Sequence, residues 1–258
     1  MDRAELVREQ FNKQAEAYEK LAIVTDRTLL NQMVSLSGAR AGDRVIEFAC
    51  GPGFVAMAFA ERGAIVTGVD ITERFLDHAR AEASRRQLGN VGFIAGNVEA
   101  LPTPPDSFEL AVCRFAFHHF GNPNRVLREM KRVTRPGGRL LILDMIASEN
   151  PAWADYHNRV ERLCDPSHVR AIAASEFEQM FAESGLGILQ KVPRETSYGL
   201  AEWMAHGGPS EENRAAITAL MEASIKRDCS GLKVRRQNGE IRFSHQGMTY
   251  LLQKPPSW

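Results

Sequence analysis

"RVIEFACGPGF", residues 44–54, joins a short apolar run to a glycine-rich turn. The run has the length and β-branched content of a buried strand, and the glycines let the backbone of the turn approach a ligand closely. Turns of this kind bind cofactors, because the helix that follows presents free N–H groups at its N-terminus. Gly51, Gly53 and Ala56 also satisfy the dinucleotide fingerprint G-x-G-x-x-[GA]. The stretch therefore predicts a strand, a cofactor-binding turn and a helix, and leaves the cofactor to be identified.

The same alternation of strand and helix continues to about residue 148. The predicted strands are 44–49, 64–70, 91–96, 108–115 and 138–146, and the helices are 54–62, 73–87 and 123–134. Alternation of this kind favours a parallel sheet with helices on both faces.

Beyond residue 148 the pattern becomes mainly helical and then returns to strands. We expect helical regions at 151–184, 199–206 and 211–227, a strand at 187–198, and β-like segments at 240–243 and 248–255 after an Asn238-Gly239 turn. The late strands are expected to complete the same sheet. The predicted fold is α/β: a Rossmann-like, seven-stranded, mostly parallel sheet with helices on both faces and a helical cover.

Composition limits the partners. The chain of 258 residues carries 32 basic and 32 acidic residues, so no overall field attracts a polyanion. We therefore expect no nucleic-acid partner and no stable membrane association; the oligomeric state stays open. The four cysteines are widely spaced and the first ten residues are charged rather than apolar, which favours reduced thiols and a cytoplasmic location.

Two carboxylates bear on the cofactor. Asp70, at the end of the second predicted strand, suits both hydroxyls of a ribose, which NAD and S-adenosylmethionine share. Glu47 lies beside the position of a pyrophosphate, and like charges at ~4 Å cost about 4 kcal/mol near a protein surface. The same carboxylate suits an ammonium and a sulfonium. Glu47 therefore favours S-adenosylmethionine, although a structural role in capping loop amides explains it as well.

The chain resembles the class I S-adenosylmethionine-dependent methyltransferases, in the group of the ubiquinone/menaquinone-biosynthesis enzymes. The similarity is carried, in order, by "VIEFACGPG" (45–53), "VTGVD" (66–70), "GNVEALP" (96–102), "DSFELAVCRFAFHHF" (106–120) and "RVTRPGGRLLI" (132–142). It implies S-adenosyl-L-methionine as cofactor and S-adenosyl-L-homocysteine as product. We divide the chain accordingly into N-terminal helices that form a cofactor lid (1–40), the cofactor-binding core (41–148), and a substrate cover with the last strands (149–258).

The resemblance also implies which residues contact the cofactor. Two stand at departures from the family pattern: Ala49 replaces the usual first glycine, and Asn97 replaces an aspartate but still offers a carbonyl oxygen to the adenine amino group. The implied set is Phe11 and Tyr18 on the lid, Glu47, Ala49, Gly51 and Gly53 at the turn, Asp70 and Ile71, Asn97 and Val98 around the adenine, and Arg114 at the methionine end.

Histidines are the candidate bases. His118 and His119 follow the fourth strand, at the edge where α/β sheets bind their ligands, and one of them could deprotonate a hydroxyl or a carbon acid. A structural role among the neighbouring phenylalanines is equally open. His168 in "DPSHVR" is a third candidate. The histidine spacing is not typical of a metal site, so the sequence predicts no metal.

These observations favour methyl transfer to O or C of a small-molecule metabolite. An NAD(P)-dependent oxidoreductase would explain the glycines and Asp70 but not Glu47. A member of the fold that binds the cofactor without transferring a methyl group also stays open, because fold does not determine function. Neither basic tracts nor a full base-gripping loop support a nucleic-acid methyltransferase.

Overall fold

The computed structural model describes residues 3–18 and 25–256, with side chains placed for 5–12 and 25–256. The described strands are β1 (Arg44–Phe48), β2 (Ile65–Asp70), β3 (Val91–Ala95), β4 (Phe108–Arg114), β5 (Thr134–Ala147), β6 (Ile172–Ala173), β7 (Gly187–Gly199), β8 (Arg235–Gln237) and β9 (Glu240–Gln253). The main path through the sheet is β3-β2-β1-β4-β5-β9-β7, with the short β6 beside β5 and β8 beside β9.

The sheet is parallel from β3 through β5 and becomes antiparallel at β9. β9 pairs antiparallel with β5 on one side and β7 on the other. The predicted Rossmann-like, mostly parallel sheet is confirmed, and its seven strands form the main path. The strand order reverses between β1 and β4, and α/β sheets bind ligands at such a switch point.

Helices cover both faces of this sheet. The described helices are α1 (Arg3–Tyr18), α2 (Arg27–Ser37), α3 (Phe54–Ala60), α4 (Glu73–Arg85), α5 (Pro123–Val133), α6 (Pro151–Cys164), α7 (Ala174–Glu183), α8 (Leu200–Gly207) and α9 (Glu211–Lys226). Neighbouring strand residues point to opposite faces: Val45 packs in the core with α2, α3 and α4, and Ile46 in the core with α5 and α7. Both faces of the central strands are therefore buried, which explains their continuous apolar sequence.

Helix α5 begins as its sequence predicts. The Asn122 side chain accepts a hydrogen bond from the Arg125 N–H at 3.0 Å, and Pro123 occupies the first helical position. Proline is favoured there because its missing N–H has no helical partner in any case.

The C-terminal part differs from expectation at two points. The region 151–184 is interrupted after α6 by a loop and by β6 before α7 begins. The two predicted β-like segments form the single strand β9, and the turn before it has positive φ at Asn238 (52°) and Gly239 (82°), as a tight hairpin requires. Helices α6, α8 and α9 bury a third apolar cluster against β9 and against Leu232 and Val234, which precede β8. These helices form the cover over the edge of the sheet at which the parallel strands end.

Within the described residues, no helix has both the length and the apolar character needed to cross a membrane.

Candidate active site

The turn between β1 and α3 consists largely of left-handed backbone. Ala49, Gly51 and Gly53 have φ of 52°, 51° and 78°. Ala49 thus adopts the conformation that glycine adopts without strain. A Cβ on Gly53 would lie 2.6 Å from the Phe93 ring, so glycine is required there. The turn places backbone, rather than side chains, against the space above the sheet.

Glu47 lies on β1 and is 3% exposed. Its Oε2 accepts a hydrogen bond from the Ala56 N–H at 2.8 Å, which fixes the carboxyl beside the first turn of α3. Burial raises the pKa of Glu47 to about 8, although the positive charge of Arg114 partly opposes this shift. The Glu47 carboxyl therefore holds its proton at pH 7. A cationic group that binds beside it would favour the ionised carboxylate.

Asp70 ends β2 and ties it to the glycine turn. Its Oδ2 accepts from the Gly51 N–H at 2.7 Å, and its Oδ1 accepts from the Thr72 N–H at 2.8 Å. Burial raises the pKa of Asp70, and these backbone donors oppose the shift. Each carboxylate oxygen can accept a second hydrogen bond, so the side chain can still hold two hydroxyl groups.

A cavity of about 1140 Å³, including its open mouth, lies over these groups. We call it the cofactor cavity. Nine of the eleven predicted cofactor residues line it: Phe11, Glu47, Ala49, Gly51, Asp70, Ile71, Asn97, Val98 and Arg114. Gly53 lies behind the lining and shapes the turn. The side chain of Tyr18 lies outside the described residues, so the lid prediction is represented by Phe11 alone.

Further lining residues were not predicted individually. Phe75 and Glu99 belong to α4 and to the segment after β3, while Phe115 and Phe120 follow β4. Each lies within a few residues of a predicted contact. Proximity to a motif in the sequence, rather than residue type, could therefore have identified them as lining residues. Asn97, the adenine-side candidate, accepts from the Glu99 N–H at 2.9 Å through its Oδ1, which holds this segment in a turn.

A second cavity of about 980 Å³ lies beside the first, under the cover. We call it the acceptor cavity. The two share Phe11, Phe115 and His119 in their walls. Apolar atoms provide most of the exposed wall, although about half of the other lining residues are polar or charged: His118, Leu143, Met145, Glu161, Cys164, Asp165, Arg194, Thr196, Tyr198, Trp203, His206, Gly207, His245, Gln246 and Gly247.

His118 lines the acceptor cavity and is paired with Asp144. His118 Nδ1 lies 2.6 Å from Asp144 Oδ1, and the backbone N–H of His118 donates to Asp144 Oδ2 at 3.3 Å. Because a carboxylate only accepts, Nδ1 carries the proton and Nε2 is left with its lone pair. Burial alone would lower the pKa of His118, but the Asp144 carboxylate outweighs it and the pKa is raised. Sequence reasoning missed Asp144, which lies inside the apolar run of β5.

His119 borders both cavities in a different protonation environment. Its Nδ1 lies 3.2 Å from Ser167 Oγ, and this hydroxyl donates to Asp165 Oδ1 at 2.6 Å. The hydroxyl therefore accepts from His119 Nδ1–H. Burial, together with the neighbouring charge of His118, lowers the pKa of His119 to about 4. His119 is thus neutral at pH 7 and a weaker base than His118.

His168 connects the loop after α6 to α6 itself. Its Nε2 lies 2.8 Å from Asn158 Oδ1, an oxygen that also accepts from the Ala171 N–H at 2.6 Å. His168 Nε2 is therefore a donor. Burial lowers the pKa of His168 to about 2, so its ring is neutral at pH 7. The ring lines neither cavity, and its contacts give it a structural role.

Another buried cluster lies where α6 meets β9. Glu161 Oε1 is 2.8 Å from His245 Nε2 and 3.4 Å from His157 Nε2. Burial opposes ionisation of Glu161, but the two imidazoles outweigh it and hold the pKa of Glu161 well below its ordinary value. Burial lowers the pKa of His157. Glu161 and His245 line the acceptor cavity, whereas His157 lies behind them.

A cofactor cavity over the β1–β4 switch point, in a sheet whose last paired strands turn antiparallel, is the arrangement of class I methyltransferases. Residues 46–142 match the family model described as Methyltransferase domain. The chain belongs to this family of S-adenosylmethionine-dependent methyltransferases, as the sequence resemblance predicted.

The relatives extend the match over most of the chain. The uncharacterized methyltransferase YcgJ of Bacillus subtilis is 34% identical over 233 residues, which cover 89% of this chain and 91% of the relative. A demethylmenaquinone methyltransferase of Listeria monocytogenes is 27% identical over 217 residues, 79% of this chain and 92% of the relative. The crystal structure of a putative methyltransferase from Bacillus halodurans superposes with a TM-score of 0.83 at 27% identity, over 88% of this chain and 98% of that one.

Proposed function

We propose that this protein transfers the methyl group of S-adenosylmethionine to an oxygen or carbon atom of a small, largely apolar acceptor, with His118 as the base. The observation that carries the proposal is the junction of the two cavities. They share Phe11, Phe115 and His119, so a group held in one lies directly beside a group held in the other. Methyl transfer needs such an in-line approach and the exclusion of water.

The residues of the cofactor cavity fit this cofactor. The buried Glu47 carboxyl suits the ammonium group of the methionine part, and the two Asp70 oxygens suit the ribose hydroxyls. The Val98 N–H would contact the adenine ring. Gly53 has positive φ and no room for a Cβ beside the Phe93 ring, so the turn presents only backbone at this point. When bound, the cofactor supplies an electrophilic methyl group on sulfur.

The same residues disfavour a dinucleotide. A pyrophosphate over the turn would lie near the buried Glu47 and Asp70. Glu47, with a pKa of about 8, would stay protonated beside a dianionic pyrophosphate and offer it no charge attraction, whereas a cationic ligand stabilises the Glu47 carboxylate. The electrostatics of the turn therefore favour a cationic ligand over a dinucleotide.

His118 would act on the acceptor. Its Nε2 accepts the proton of a weakly acidic O–H or C–H group, and Asp144 stabilises the imidazolium that forms. The acceptor atom would then bond to the methyl carbon as the carbon–sulfur bond breaks, and the sulfur would leave as the thioether of S-adenosylhomocysteine. His119, neutral at pH 7, lies at the junction and would position the acceptor rather than deprotonate it.

The cofactor claim is tested by calorimetric titration of the full chain with S-adenosylmethionine, S-adenosylhomocysteine, NAD and NADP in parallel. We expect micromolar binding of the two adenosyl ligands and none of the dinucleotides. Dinucleotide binding without adenosyl binding would refute the proposal.

The transfer claim is tested with S-adenosylmethionine carrying a tritiated methyl group and a metabolite extract as the source of acceptors. We expect label in an organic-soluble small molecule, and loss of that label with His118→Gln at unchanged cofactor affinity. Tight cofactor binding without any labelled product would instead indicate the non-methylating alternative.

A further inference from the structure

The described part of the molecule contains one group of three side chains with metal-ligating atoms close together: His157, Glu161 and His245. We propose that they bind a divalent first-row transition-metal ion at the wall of the acceptor cavity. The proposal concerns metal binding alone and does not depend on the identity of the cofactor or the acceptor.

The distances match those required by one ion. Two atoms each about 2.0–2.2 Å from a metal, at angles of 90–110°, are about 2.8–3.6 Å apart. Glu161 Oε1 lies 2.8 Å from His245 Nε2 and 3.4 Å from His157 Nε2. All three ligating atoms lie within 4.8 Å of one another, so closing the set around an ion requires only small side-chain shifts.

Burial and hydrogen bonding point to a missing partner at one of the three atoms. His157 is 1% exposed, and its Nε2 makes no hydrogen bond of acceptable geometry, although a carboxylate lies 3.4 Å away. A buried polar atom left in this way costs about 1–3 kcal/mol. A metal ion would satisfy Nε2 of His157 and both neighbours together.

The backbone gives the group a defined geometry. His157 and Glu161 are four residues apart on α6 and therefore project from one face of the helix. His245 comes from β9, 84 residues after Glu161, and β7 holds it in place through the pairing of Thr196 with His245. The sequence predicts no metal because this proximity is created by the tertiary fold.

The donor set indicates the class of ion and where its open positions lie. Two imidazoles with one carboxylate suit Zn²⁺, Fe²⁺ and related ions, whereas Mg²⁺ and Ca²⁺ prefer oxygen ligands alone. Three protein ligands leave at least one coordination position open, as in catalytic rather than structural zinc sites. Because Glu161 and His245 line the acceptor cavity, the open position faces that cavity.

The test uses the chain of 258 residues, stripped with chelator and titrated calorimetrically with ZnCl₂ without any cofactor or acceptor. We expect one Zn²⁺ per chain. Removing a ligand in Glu161→Gln or His245→Gln should weaken binding by more than about 100-fold, beyond the loss typical of an outer-shell change. His206→Gln is the matched control, since His206 lines the same cavity outside the triad and should leave the affinity unchanged.

Less than a tenth of an ion bound by the wild-type protein would overturn the proposal, and so would equal affinities of the ligand variants and the control. Circular dichroism establishes that the variants are folded. If they are not, X-ray absorption spectroscopy of the Zn²⁺-loaded wild-type protein decides. Two imidazole nitrogens with oxygen ligands support the triad, and sulfur ligation refutes it by assigning the ion to cysteines.

Discussion

The buried carboxyl of Glu47 should make cofactor binding a proton-linked reaction. Since its pKa is about 8, about nine-tenths of the Glu47 side chains carry a proton at pH 7. The ammonium group of S-adenosylmethionine favours the carboxylate, so binding expels this proton. We expect release of up to about 0.9 proton per cofactor bound at pH 7, where the amino group of the ligand is itself mostly protonated.

Calorimetry in buffers of different ionisation enthalpy measures the number of protons released. Glu47→Gln keeps the side-chain size and an oxygen that can accept from the Ala56 N–H, but it cannot ionise. In this variant the release should disappear. Below pH 8 the wild-type protein must give up a proton in order to bind, so its affinity relative to Glu47→Gln should rise about tenfold from pH 6 to pH 7. Equal proton release in both proteins, or none in the wild type, would refute this role of Glu47.

Other predictions concern the base, the turn and the lid. In Asp144→Asn the pKa of His118 should fall, because burial then acts without the carboxylate that outweighs it. NMR titration of the imidazole measures this fall. Methyl transfer, which is lost at low pH when His118 is protonated, should then persist to lower pH. Gly53→Ala should lower the free energy of unfolding in urea by about 1–3 kcal/mol, since the new Cβ meets the Phe93 ring in a left-handed conformation; an unchanged midpoint would show that the turn relaxes. Phe11→Ala should weaken S-adenosylhomocysteine binding by about tenfold through lost apolar contact, and identical titration curves would exclude a lid role.

The cofactor half could be predicted from the sequence because its groups are local to their motifs. Glu47, the glycine turn and Asp70 each follow or end a strand that the apolar pattern reveals. Parallel strands bring their carboxyl ends to one edge, so positions distant in sequence could be placed together without knowing any side-chain contact. The family resemblance implied the remaining contacts, and nine of the eleven residues named in this way line one cavity.

The C-terminal strand shows why the other half was harder to predict. β9 runs continuously from Glu240 to Gln253, but its middle residues Ser244, His245 and Gln246 are polar and interrupt the apolar pattern. His245 and Gln246 line the acceptor cavity instead of the core. The polar side chains that line the cavity are therefore the same ones that hide this strand from a search for hydrophobic alternation.

Asp144 illustrates the same point within the core. In sequence it is one polar residue inside the apolar run of β5, and no motif marks it. It becomes the partner of His118 because β5 runs beside β4, with Leu143 opposite Arg114, so the end of one strand lies next to the loop that leaves the other. A buried carboxylate without partners would be strongly unfavourable, so a carboxylate in a central strand implies that a hydrogen-bonding or charged partner lies beside it.

The acceptor half thus consists of contacts between distant segments. His118 pairs with Asp144, His119 with the loop after α6, and Glu161 with a histidine on the last strand. Five of the seven histidines are buried in these networks, where a core built for stability alone would favour apolar side chains. Three of the five, His118, His119 and His245, line the acceptor cavity, and a requirement for stability alone does not explain imidazoles at that wall. On the proposed function, the cover and β9 would select the acceptor, so substitutions there should change acceptor selectivity while leaving cofactor affinity intact.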